Sequence, residues 1–213
     1  MLWIITGSII SYLIGSIPNA YIFGRLLKGI DIRKEGSGNV GATNALRVLG
    51  KGPGIAVLAL DILKGFLAVF VLGNLLAVKL SNISTEARSI ILGLSCISGH
   101  NWTIFLGFKG GKGIATTLGV LIGLALQIPG LKLILLMVVI TWLIVFIAVR
   151  IVSLASVIAA IALPIYVFLF KESSILVALS ILLALFIVLR HKSNLQRLLK
   201  GREPRLNFKR HQQ

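Results

Sequence analysis

The stretch Gly107-Phe108-Lys109-Gly110-Gly111-Lys112-Gly113 interrupts one of the most apolar regions of the chain. Its four glycines and two lysines separate hydrophobic runs that otherwise read as membrane-crossing helices. Glycine reaches left-handed dihedrals without steric cost, so backbone N–H groups in such a loop can converge on an anion. Lysine supplies the opposite charge, and Gly113 opens a new apolar helix whose N-terminus also favours anions. The stretch reads as a phosphate-binding loop at a membrane surface, with Lys109, Gly110, Gly111, Lys112 and Gly113 bearing on the anion. A flexible basic turn that only sets topology is the competing reading, and a Gly-rich motif alone does not decide between them.

Outward from this loop, 57% of the 213 residues are hydrophobic and the mean hydropathy is +0.99. Soluble domains hold about 45–50% apolar residues, so the expected fold is an all-α, polytopic integral membrane protein. Lys and Arg number 22 against six acids, a formal charge of +16. These basic residues fall between and after the apolar runs, so anionic membrane lipid and topology account for them and no nucleic-acid partner is expected. No soluble stretch is large enough for its own core. One membrane-embedded domain over residues 1–213 is expected, ending in a basic tail at about 195–213. The single cysteine, Cys96, lies in an apolar run, and no Cys/His spacing suggests zinc. The first apolar run has no basic residues before it and reads as a retained helix, not a cleaved signal peptide.

Seven apolar segments are expected to span the membrane: residues 2–26, 53–78, 88–108, 114–128, 131–149, 154–170 and 174–189. Gly7, Gly15, Ser16 and Gly24 in the first permit close helix contact. With the N-terminus outside, 17 basic residues fall on inner loops and the tail, and only four on outer loops. The positive-inside rule therefore predicts N-terminus outside and C-terminus cytoplasmic. Asp61 and Lys64, at i,i+3 within the second segment, share a helix face and read as a structural salt bridge, with an ion relay as the alternative.

That orientation gathers four polar stretches on the inner surface. Ser37, Gly38, Asn39, Gly41, Thr43 and Asn44, with Arg47 just beyond, offer hydrogen bonds and a bidentate cation to phosphate oxygens. The Gly/Lys loop is the second, preceded by His100 and Asn101, which read as helix-packing hydrogen-bonders. Ser153 follows Arg150 and reads either as a helix N-cap or as a phosphate contact. His191, Asn194 and Arg197 share i,i+3 spacing and line one face if the seventh helix continues inward. The inner acids Asp31, Glu35 and Glu203 are scattered, so neither a metal site nor a cofactor is expected. No His-x4-Asp pair follows any histidine.

Ser37 through Asn44, Gly107 through Gly113, and His191-x-x-Asn194-x-x-Arg197-Leu198-Leu199-x-Gly201-x-Glu203 together resemble the bacterial PlsY family, the acyl-phosphate:glycerol-3-phosphate acyltransferases. The resemblance covers the whole chain and implies seven helices with a cytoplasmic active site in the bacterial inner membrane. It implies Ser37, Arg47, Lys112, His191 and Asn194 as catalytic residues, Ser153 as a further phosphate-side contact, and Glu203 as structural. Its implied reaction moves a fatty acyl group from acyl phosphate to the 1-hydroxyl of sn-glycerol 3-phosphate, giving lysophosphatidic acid and inorganic phosphate. This is the first acylation of bacterial phospholipid synthesis, and the enzyme that makes acyl phosphate becomes a candidate partner.

The residues suit that chemistry. An acyl phosphate expels its leaving group readily once the charge is offset, which Arg47 and Lys112 can do, so positioning and electrostatics supply most of the catalysis. His191 reads equally as general base or as positioning residue. An anion transporter would place its polar groups at mid-membrane and show internal repeats. A lipid-binding scaffold leaves His191 and Asn194 without a task.

Overall fold

The computed structural model describes residues 1–206, so the end of the expected basic tail, with Lys209 and Arg210, lies outside the described residues. Among the described residues every regular element is helical. The chain forms two compact units, Met1–Lys132 and Leu133–Gln213.

In the first unit, the expected first span is present as the stretch Leu2–Lys28, interrupted at Pro18 into α1 (Leu2–Ser16) and α2 (Asn19–Lys28). Pro18 has no N–H and its ring collides with the preceding turn, so the helix breaks there. A short 3-10 turn over Ile32–Lys34 leads to α3 (Ala42–Val48). The second apolar segment becomes α4 (Lys51–Phe66), a π turn over Leu67–Val71 and α5 (Leu72–Leu75). Gln127 Nε2 donates to the Val69 carbonyl inside that π turn at 3.2 Å. The third is α6 (Thr85–Asn101), capped by Ser84, whose Oγ accepts from the Ala87 amide. The fourth, α7 (Ile114–Gln127), has 14 residues, or about 21 Å of rise against about 30 Å of hydrocarbon.

Two glycine seams set the packing. A Cβ on Gly15 would overlap the Cys96 carbonyl, and one on Gly99 would overlap the Tyr12 carbonyl, so α1 and α6 meet backbone to backbone. Gly65 against Thr116 and Gly119 against Ile62 do the same for α4 and α7. Side chains that cannot draw helices together hydrophobically in lipid leave this close approach to small residues.

In the second unit, α8 (Leu131–Val149), α9 (Val152–Leu169) and α10 (Ser174–Arg190) match the last three expected segments closely. Trp142 Nε1 donates to Ser156 Oγ, and Thr141 and Tyr166 hydroxyls meet at 2.8 Å, tying α8 to α9. The last helix does not continue straight inward: it breaks at His191 and turns by 59° into α11 (Lys192–Leu199). Five helical stretches among the described residues are long and apolar enough to cross a membrane, and a sixth if the bent pair α10 and α11 is one span.

Candidate functional site

The loop before α3 is built by Asn44. Its buried Oδ1 accepts from the Ser37 amide at 2.8 Å, and its Nδ2 donates to the carbonyls of Ile32 and Glu35. All of this is loop construction, so the Asn44 side chain holds the loop's shape. Gly36 sits at φ +58 with no room for a Cβ beside Asn44, and Gly38 at φ +71 completes the turn. Ser37 is left exposed at the tip; Asn39, Gly41 and Thr43 are half-buried, and Arg47 is exposed in the last turn of α3.

An apolar cluster of Ala20, Ile32, Val40, Ala45, Leu49, Val57 and Leu106 lies under this loop. Leu106 immediately precedes the Gly/Lys loop, so the two sequence motifs of the first unit rest on one core. The Gly/Lys loop itself folds back on the end of α6: the Gly110 amide donates to the Asn101 carbonyl and the Gly111 amide to the His100 carbonyl. A Cβ on Gly110 would overlap the His100 carbonyl, and one on Gly111 would overlap the His100 ring. Gly113, at φ +80, is the N-cap of α7, where no side chain caps the helix. First-turn amides of such a helix favour an anion. Lys112 is half-buried and Lys109 exposed.

Beneath the loop lies a buried ionic network. Asp61 Oδ1 accepts from Lys64 Nζ at 2.8 Å and from Asn19 Nδ2 at 2.9 Å. Lys64 Nζ also donates to the Ile17 carbonyl at 3.0 Å and lies 2.9 Å from His100 Nδ1. The break at Pro18 takes the Ile17 carbonyl out of the helical ladder, where it also accepts from the Asn19 amide. Asn19 was missed in the sequence; its place directly after a proline in an apolar run was the available signal. Thr103 is a second omission: its hydroxyl donates to the Ser16 carbonyl at 2.6 Å, beside the same break.

In the second unit Glu203 is a hub. Its Oε1 accepts from Ser153 Oγ at 2.7 Å and Asn194 Nδ2 at 2.6 Å, and its Oε2 from Arg197 Nε at 2.8 Å. Burial alone would raise the Glu203 carboxyl, but the hydrogen bonds from Asn194, Ser153 and Arg197 outweigh it and hold the group below its ordinary value. Ser153 stands inside α9, with Ile151 at the N-cap, so its hydroxyl serves Glu203 and not the helix end. His191 is buried, and its Nδ1 lies 2.8 Å from the Ile187 carbonyl. A carbonyl only accepts, so Nδ1 carries the proton and Nε2 bears the lone pair in the neutral ring.

Among the described residues no three His, Cys, Asp or Glu side chains gather where they could hold a metal ion. Asp31 is occupied by Arg33: the guanidinium's hydrogen bond at 2.7 Å draws the carboxyl down to about 2.

A family model described as glycerol-3-phosphate acyltransferase matches residues 5–201. A glycerol-3-phosphate acyltransferase of Synechococcus sp. (strain CC9902) is 46% identical over 200 residues, covering 94% of each chain. One from Fusobacterium nucleatum is 44% identical, covering 94% of this chain and 96% of its own. Among solved structures, the glycerol 3-phosphate form of PlsY, an integral membrane glycerol 3-phosphate acyltransferase, superposes with TM-score 0.82 at 39% identity over 96% of both chains. Its lysophosphatidic acid form gives TM-score 0.79 at 38% identity, over 96% of this chain and 95% of its own.

Proposed function

We propose that this chain, which belongs to the glycerol-3-phosphate acyltransferase family, takes its acyl group from an acyl phosphate. The 1-hydroxyl oxygen of sn-glycerol 3-phosphate attacks the acyl carbon, the bond from that carbon to the phosphate oxygen breaks, and lysophosphatidic acid and inorganic phosphate leave. The observation that carries this reading is the Gly/Lys loop: its Gly110 and Gly111 amides are spent on the end of α6 and fix its path, which sets Lys112 beside the first-turn amides of α7, where no side chain caps the helix. Preorganised donors and a fixed cation suit an anhydride whose leaving group is a dianion. A thioester leaves as thiolate and gains little from such a pocket.

Arg47 and Lys112 offset phosphate charge, and Ser37 together with Gly38, Asn39, Gly41, Thr43, Lys109, Gly110, Gly111 and Gly113 supplies further contacts. Asn44 acts by holding its loop. His191 offers the Nε2 lone pair, either to take the hydroxyl proton or to orient the hydroxyl while phosphate takes it. Ser153 and Asn194 bear on substrate phosphate through the arrangement that Glu203 maintains. The whole forms one acyltransferase domain of seven spans in a bacterial inner membrane, N-terminus outside and motif loops cytoplasmic, and the enzyme that makes acyl phosphate is its partner. The lipid-exposed apolar faces supply a place for the acyl chain. Purified enzyme given palmitoyl phosphate or palmitoyl-CoA at matched concentration, with glycerol 3-phosphate, should release inorganic phosphate and lysophosphatidic acid only from the first. Comparable turnover of the thioester overturns the assignment of donor.

A further inference from the structure

Lys64 is 4% exposed, and its ammonium meets three acceptors: Asp61 Oδ1, the Ile17 carbonyl and His100 Nδ1. An ammonium has three protons to give and accepts none. His100 Nδ1 is therefore the acceptor in its contact, and the neutral ring carries its proton on Nε2. Nε2 is also the ring atom turned toward the loop, since it is the atom a Gly111 Cβ would strike first. The same histidine takes the Gly111 amide proton on its carbonyl. His100 thus touches the Gly/Lys loop through both backbone and ring, while the far side of the ring is locked by a buried charge. A salt bridge needed only for helix packing has no use for an imidazole, because an apolar pair of similar volume serves as well.

We propose that His100 is a positioning residue of the Gly/Lys loop. The Asp61–Lys64 pair holds it in the Nε2–H tautomer, and the ring sets the geometry in which the loop meets a phosphate group. Asn19 completes the device by steadying Asp61. This deepens the phosphate-binding assignment of the loop and rests on it.

The test compares His100→Gln and His100→Phe in the full chain in detergent micelles. Glutamine places an amide N–H near the Nε2 position, whereas phenylalanine keeps the ring and loses both nitrogens. His100→Phe should raise KM for glycerol 3-phosphate about tenfold, the order of one hydrogen bond, with kcat moved far less. Amide exchange in the peptide spanning residues 107–113 should accelerate by a similar factor. His100→Gln should bring both readings most of the way back. Loss of kcat with KM and loop exchange untouched, or identical behaviour of the two variants, overturns the proposal. If His100→Phe does not fold, Asp61→Asn with Lys64→Met removes both buried charges together and should accelerate loop exchange in the same way; unchanged exchange there overturns it too. Wild-type turnover is the separate control. Its absence removes the proposed reaction, whereas the exchange measurement still decides whether His100 holds the loop.

Discussion

Replacing Glu203 with glutamine should destabilise the second unit in a manner that depends on pH. The carboxylate side chain is 3% exposed and accepts three hydrogen bonds. Glutamine keeps one acceptor oxygen for Ser153 and Asn194, but turns an NH2 toward Arg197 Nε, where donor faces donor. The two surviving bonds fall from charge-assisted to neutral strength, about 1 kcal/mol each. The lost Arg197 contact adds about 1 kcal/mol or less, because Arg197 is 40% exposed and water replaces its partner. The total is about 2–3 kcal/mol at neutral pH. Because folding holds the Glu203 carboxyl below its ordinary value, its contribution is complete above the unfolded value of about 4.3 and fades as pH falls through the folded one. Unfolding in mixed micelles, followed through tryptophan fluorescence, should show a wild-type advantage that is constant from pH 7 to about 5 and shrinks progressively as pH falls below about 4. Equal midpoints at pH 7, or a gap that survives undiminished in acid, would refute the hub as described.

Arg47→Ala and Lys112→Ala should each lower kcat/KM for acyl transfer by about 1.5–3 kcal/mol, the range for a charge-assisted contact, while the protein still folds. Wild-type phosphate release by Lys112→Ala would remove the loop from the mechanism. The two described histidines should occupy opposite tautomers: in 15N spectra recorded at alkaline pH, His100 should show its proton on Nε2 and His191 on Nδ1, and matching spectra would contradict both hydrogen-bond assignments.

Most of the fold was legible because a lipid solvent leaves a long apolar run few alternatives to a helix. The boundaries of α8, α9 and α10 show this: the apolar runs stay helical over 131–149, 152–169 and 174–190, and α9 continues even through Pro164. Breaks were harder to read. Pro18 was visible, yet hydropathy carries on across it, so α1 and α2 looked continuous. The bend at His191 has no proline or glycine to announce it; the backbone turns where α11 swings Asn194 and Arg197 onto Glu203. The short α7 kept its place because Gly65 and Gly119 pack it against α4, a matter of which helix faces which, and sequence periodicity does not report that.

The glycines show where the reading of the site was incomplete. A glycine's lack of Cβ serves two ends, dihedral freedom and close approach, and the one-letter pattern is the same for both. In the Gly/Lys loop Gly107 and Gly113 use the first, at φ +62 and +80, while Gly110 and Gly111 use the second, pressed on the His100 carbonyl and ring. Freedom alone would make a pliable loop, whose lysine must be placed anew each time an anion binds. Close approach makes a rigid one, with that placement already done in the fold. The rigid loop needs a floor, and the floor is a histidine that the sequence marked only as packing. Its ring is held from behind by charges 36 and more residues away. Coupling over that separation depends on the rotation of α4 against α6, so it becomes visible only once the helices are placed. An anion loop of this kind is therefore defined as much by what lies beneath it as by its own glycines and lysines.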